Sequence, residues 1–222
     1  MKLFSVLAGA LLAGSLATAA SAAQVIVTDV ETGNGNLGNV AVGGGYGSPW
    51  TTPILLTDSL GHKYVAFCDD LQHTINVGPG QHLLFQWGQV TVDGLGNTLS
   101  QAVSNVMGQL ADIGRADYKN SDENGAIAAQ AAIWSLEYGV TVSSSNAAIQ
   151  SDITADLLVQ DNGKGYAQGL ISLDGHQSQI FGDAPEPATW AMILVGFGLV
   201  GFSLRQHARA DRRLRDLQSE AV

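Results

Sequence analysis

Between residues 24 and 93 the apolar positions either alternate with polar ones or run together in short stretches, at 24–30, 39–42, 53–58, 63–67 and 82–92. An extended chain sends successive side chains to opposite faces, so each stretch predicts a strand. Gly33-Asn34-Gly35-Asn36-Leu37-Gly38, Gly43-Gly44-Gly45, Ser59-Leu60-Gly61 and Gly78-Pro79-Gly80 separate them. These residues tolerate the backbone angles of turns. The first half therefore predicts a twisted antiparallel sheet or small barrel.

The period changes after residue 98. Leu99, Val103, Val106, Leu110 and Ile113 recur at steps of four and three, the spacing of one helical face, with Gly114 suited to the stop. Residues 115–125 read as a polar loop. Residues 126–138 are alanine-rich, with Ile127, Ala131, Trp134 and Tyr138 on one stripe, which predicts a largely buried helix. Residues 147–158 predict a third helix, and 166–173 a weaker fourth. Strands followed by helices predict the α+β class, an antiparallel sheet or small barrel with packed helices.

The two ends differ from this body. Lys2, an apolar run over 3–16 and Ala20-Ser21-Ala22 form a signal peptide over 1–22, to be cut by signal peptidase after Ala22 or Ala23. At the other end, 184–222 opens with Pro185-Glu186-Pro187. An uncharged stretch at 188–204 follows, and then Arg205, Arg209, Arg212, Arg213 and Arg215. Seventeen residues is the short end for a transmembrane helix, and the basic end at 205–215 belongs on the cytoplasmic side.

Pro185-Glu186-Pro187-Ala188-Thr189-Trp190-Ala191-Met192, followed by Gly196-Phe197-Gly198 and the arginines, resembles the PEP-CTERM sorting signal. The resemblance implies an exosortase that reads the Pro-Glu-Pro motif and removes the tail. It also implies transient anchoring in the inner membrane, then release or attachment at the surface of a Gram-negative, often polysaccharide-producing cell. A plain C-terminal membrane anchor is the simpler alternative.

Charge narrows the partners of the body at 23–183. From residue 24 to 183 it carries four basic and sixteen acidic side chains, a net charge of −12. Such a surface repels phosphate backbones and anionic lipid headgroups, so nucleic acid is not an expected partner. The single cysteine, Cys68, excludes an internal disulfide.

That cysteine ends a predicted strand, in Tyr64-Val65-Ala66-Phe67-Cys68-Asp69-Asp70, and the alanine-rich helix contains Ala129-Gln130-Ala131-Ala132-Ile133-Trp134. Together they resemble the thioester domains at the tips of Gram-positive surface adhesins, in which an aromatic-Cys-x-Asp strand and a Gln-x-Ala-Ile-Trp helix supply the two partners. The resemblance implies a bond between Cys68 Sγ and the Gln130 side-chain carbonyl carbon. A surface amine or hydroxyl could capture that acyl group, with Phe67, Trp134 and Tyr138 shielding it from water. Ala129 stands where the family usually has threonine. Read without the resemblance, Cys68 is an inert buried thiol and Gln130 a packing residue.

Other chemistry is thinner. Cys68 with His73 makes a poor hydrolase pair, because Asp69 and Asp70 disfavour the thiolate. Cys68, Asp69, Asp70 and His73 fit no paired metal-ligand spacing, and no cofactor motif stands out. Asp112, Asp117, Asp122 and Glu123 lack the spacing of a calcium loop. Tyr46, Trp50 and Trp87 could line a sugar-binding face, although aromatics at strand positions usually serve the core. With no convergent acid, base and nucleophile, an enzyme is not expected. The expectation is an exported surface or matrix protein, either a covalent thioester adhesin or a non-covalent structural or exopolysaccharide-associated matrix protein.

Overall fold

The structure, a computed structural model, describes residues 23–33 and 40–182. The predicted signal peptide, the Pro185-Glu186-Pro187 motif, the 188–204 span and the arginine end lie outside the described residues, as does most of the glycine-asparagine turn after Gly33. No helix among the described residues is long and apolar enough to cross a membrane.

Among the described residues eight strands and three helices follow one another as β1 (Gln24–Thr32), β2 (Val40–Val42), β3 (Ile54–Asp58), β4 (Lys63–Cys68), β5 (Gly78–Gln89), α1 (Gln101–Lys119), α2 (Glu123–Tyr138), β6 (Val142–Ser144), α3 (Ala147–Asp156), β7 (Gln168–Ser172) and β8 (Gln179–Gly182). Six strands close a barrel in the order β1-β3-β4-β8-β7-β5, while β2 and β6 form a separate pair. Every pairing in the barrel is antiparallel. The α+β expectation holds, in its barrel form.

Alternation builds the wall. Val25 and Val27 of β1 point inward; a bulge between Val27 and Asp29 then shifts the phase, so that Val30 rather than Asp29 is buried next. Ile54 and Leu56 of β3, Ala66 and Cys68 of β4, and Leu83 and Phe85 of β5 point the same way. This cluster draws on all six barrel strands and is therefore the barrel interior. Each fully buried aliphatic or aromatic side chain contributes about 1.5–3 kcal/mol. Helix α2 adds Ile127, Ala131 and Trp134 to the same cluster. A second cluster, with Phe67, Met107, Leu110, Ile133 and Ile180, lies between α1, α2 and the outer face of β4 and β8.

Several expectations are corrected. Helix α1 does not stop at Gly114 but runs to Lys119, so most of the predicted loop at 115–125 is helical. Gly114 is a notch: a Cβ there would stand 2.7 Å from both Ala129 Cβ and Phe67 Cζ. Ile113, placed on the core stripe by its spacing, is partly exposed, because the face is carried by Gly108, Leu110, Ala111 and Gly114 instead. The weak fourth helix is β7, whose pairing with β5 and β8 closes the barrel. Gly78, Pro79 and Gly80 form no turn but begin β5, with Pro79 opposite Asp29 beyond the bulge.

Candidate functional site

The site begins where β3 runs out. The β3–β4 register pairs Ile54 with Ala66, and Ile54 is the first residue of its strand. Continued by two residues, the register would set Thr52 opposite Cys68, but Pro53 offers no N–H there and the Thr52 hydroxyl instead donates to Gly33 O. The Gln130 side chain of α2 fills the vacancy. Cys68 N–H donates to Gln130 Oε1 at 2.7 Å, and Gln130 Nε2 donates to Cys68 O at 2.7 Å. The primary amide thus imitates a neighbouring strand, and it is wholly buried.

Sequence spacing put these residues 62 positions apart; the fold brings them into contact. Cys68 is a free thiol, buried, with Sγ 3.7 Å from Asp70 O. Burial pushes its pKa well up, and the charges of Asp69, Asp70 and Glu137 push it further. A thiolate is strongly disfavoured here.

The same stripe of α2 fixes the chain after Cys68. Trp134 joins Cys68 in the barrel-interior cluster. One turn on, the Tyr138 hydroxyl accepts from Leu71 N–H at 3.0 Å and Gly94 N–H at 3.2 Å, and lies 3.4 Å from Asp69 O as its donor. Phe67 is placed differently from the other two predicted shields. It is fully buried, but in the second cluster, on the opposite face of β4 from the sulfur, where its ring abuts Gly114. Adjacent strand residues cannot share a face.

Buried acids surround the segment. Asp70 is satisfied by Gln72 N–H, His73 N–H and the His73 ring at 2.6 Å. Asp93 closes its own turn by accepting from Leu95, Asn97 N–H and Asn97 Nδ2. Asp69 Oδ1 and Glu137 Oε2 are buried and lack partners among the described residues. Burial raises both carboxyls, the charge of Asp70 raises both further, and the charges of Asp69 and Asp93 also raise Glu137, so the pair holds its protons above the ordinary carboxylate range. Sequence reading did not single out Glu137, although it lies seven residues beyond Gln130 on the same helical stripe. Among the described residues no group of three or more His, Cys, Asp or Glu side chains is arranged to hold a metal ion.

A cleft of about 480 Å³ opens beside the sulfur, lined by Cys68 and Trp134 and by residues of the loops around β1, β3 and β4. Of the three aromatics considered for sugar contact, only Trp50 lines it, and Trp50 is 59% exposed. Trp87 packs on Phe181 at 5.1 Å between ring centres, and Tyr46 on Tyr138 at 5.7 Å. The histidines mostly serve local pairs, His62 with Asp58 and His73 with Asp70.

Residues 183–210 match the family model described as the PEP-CTERM protein-sorting motif. The match supports an exported protein with an exosortase as its processing partner, and the matched stretch includes Pro185, Glu186 and Pro187. No curated protein and no solved structure matches the chain.

Proposed function

We propose that this exported exosortase substrate is a surface or matrix protein that attaches covalently through an internal thioester between Cys68 and Gln130. The observation that carries the reading is the buried Gln130 carboxamide, held at both ends against the main chain of Cys68. In the bond-forming step Sγ attacks Gln130 Cδ, the Cδ–N bond breaks, and the thiol proton leaves with the nitrogen as ammonia. Cys68 N–H already donates to the oxygen on which negative charge would develop, as an oxyanion donor must. Because burial and the nearby acids disfavour the thiolate, the attacking group is the neutral thiol, whose proton passes to the departing nitrogen. Trp134 covers the bond from the interior, and Tyr138 fixes the loop above it.

Before processing, the 188–204 span would hold the chain in the inner membrane, with Arg205, Arg209, Arg212, Arg213 and Arg215 on the cytoplasmic side. Intact mass of the purified exported protein tests both parts. The expected mass lacks the tail after the Pro-Glu-Pro region and one further ammonia; methylamine adds to the protein, and Cys68→Ala abolishes both the loss and the addition. A C-terminus still at Val222 would sink the sorting reading. An unmodified mass with a freely titrating thiol would sink the thioester and leave a non-covalent matrix protein.

A further inference from the structure

The cleft beside Cys68 differs in character from the rest of the body. Among the described residues its lining contains no Asp, Glu, Lys or Arg, although the body as a whole carries a net charge of −12. What it offers is an exposed indole, Trp50, the exposed Thr74 and Asn76, and the exposed His73, whose ring is held 2.6 Å from the Asp70 carboxylate. At its inner wall stands Trp134, 1% exposed, whose Nε1 is buried without a hydrogen-bond partner among the described residues. A buried N–H left unpaired costs free energy until an acceptor reaches it.

These features select by chemistry. An ammonium group entering the cleft would leave water for walls that hold no counter-charge, which is unfavourable. An anionic polymer would be repelled by the acidic body. A neutral sugar meets neither penalty. The C–H face of a pyranose is a flat apolar surface that can lie on the Trp50 ring, and its hydroxyls suit Thr74 and Asn76. The cleft has room for about two or three such rings by its volume.

We propose that this cleft is the acceptor site and that it takes an uncharged polysaccharide, one hydroxyl of which is the nucleophile. The inference rests on the thioester reading for its covalent step and on the cleft alone for recognition. In that step the hydroxyl oxygen bonds to Gln130 Cδ, the Cδ–Sγ bond breaks, and the hydroxyl proton ends on Sγ. The product is an ester and a free Cys68 thiol, with no change of oxidation state.

The test uses the purified exported protein with cellohexaose and maltohexaose as neutral probes, hexagalacturonate as the anionic probe, and a lysine-containing pentapeptide as the amine. Intact mass should show adducts with a neutral probe in preference to the other two. Trp50→Ala should slow that labelling about tenfold, Trp50→Phe should retain most of it, and methylamine, too small to reach the ring, should label all three proteins at one rate. Faster labelling by the peptide or the uronate, or equal slowing of methylamine by Trp50→Ala, overturns the assignment. If methylamine labels nothing, the thioester fails, and recognition is decided separately on Cys68→Ala. There, saturable quenching of tryptophan fluorescence by a neutral probe, lost with Trp50→Ala, upholds the cleft; no quenching by either neutral probe overturns it.

Discussion

Replacing Gln130 by methionine isolates what the amide does for the fold from what it does in chemistry. The two side chains are unbranched and of similar volume, so the change leaves no large cavity while removing both the 2.7 Å bonds to Cys68. The Cys68 N–H and C=O are then stranded in a dry place, each at about 1–3 kcal/mol. The adjacent cleft lets some water reach them, which favours the lower part of the summed range, about 2–4 kcal/mol. For a body of this size that corresponds to a fall in Tm of roughly 5–15 °C. The measurement belongs in a Cys68→Ala background, where no thioester can form yet the main chain that Gln130 grips is unchanged. Urea unfolding followed by circular dichroism, with Cys68→Ala alone as the reference, gives the difference directly. A cost below about 0.5 kcal/mol would refute the view that this amide stands in for a missing strand.

Two further outcomes follow from the packing. Gly114→Ala should destabilise by up to about 2 kcal/mol, the overpacking cost of about 1–3 kcal/mol less the roughly 1 kcal/mol that alanine gains in a helix. The added Cβ meets Ala129 and Phe67 at 2.7 Å, and a rise in the urea midpoint would contradict that contact. The Asp69–Glu137 pair sets a pH dependence. Its folded pKa values lie above the ordinary carboxylate range, so from about pH 4 upward the folded protein keeps protons that the unfolded chain has released. Stability from this pair therefore falls as pH rises through neutrality into the alkaline range, and Tm should drop between pH 5 and pH 9, with Glu137→Gln flattening the slope. A Tm that climbs over that interval would mean that the pair is not protonated.

What the sequence disclosed, and what it withheld, divides along the range of the forces involved. Strands β1, β3 and β4 were legible because their period-two alternation is a local signal, and α2 because alanine and its apolar stripe are local too. Cys68 and Gln130 stood out through their neighbours in the chain, and the fold brought them into contact. Strands β6, β7 and β8 were missed because each is short and gains its meaning only from a partner distant in sequence, as Cys68 pairs with Gln179. Gly114 misled because a helical glycine reads as a stop until the ring of Phe67 lies against it. Phe67 was counted with the sulfur's surroundings through adjacency in sequence, which in a strand means the opposite face.

The position of β8 also bears on the timing of assembly. It is the last strand of the barrel, Gln179–Gly182, yet it lies between β4 and β7, directly beside the strand that carries the sulfur. In chain order Cys68 comes early and the wall beside it last, so outward threading from the N-terminus, if that is the export route, would deliver them in that order. Until residue 182 has crossed, β4 has an open edge and the barrel a missing stave, so any acyl bond made sooner would stand unroofed to water. Completion of the chamber is thereby tied to arrival of the residues just ahead of the sorting tail.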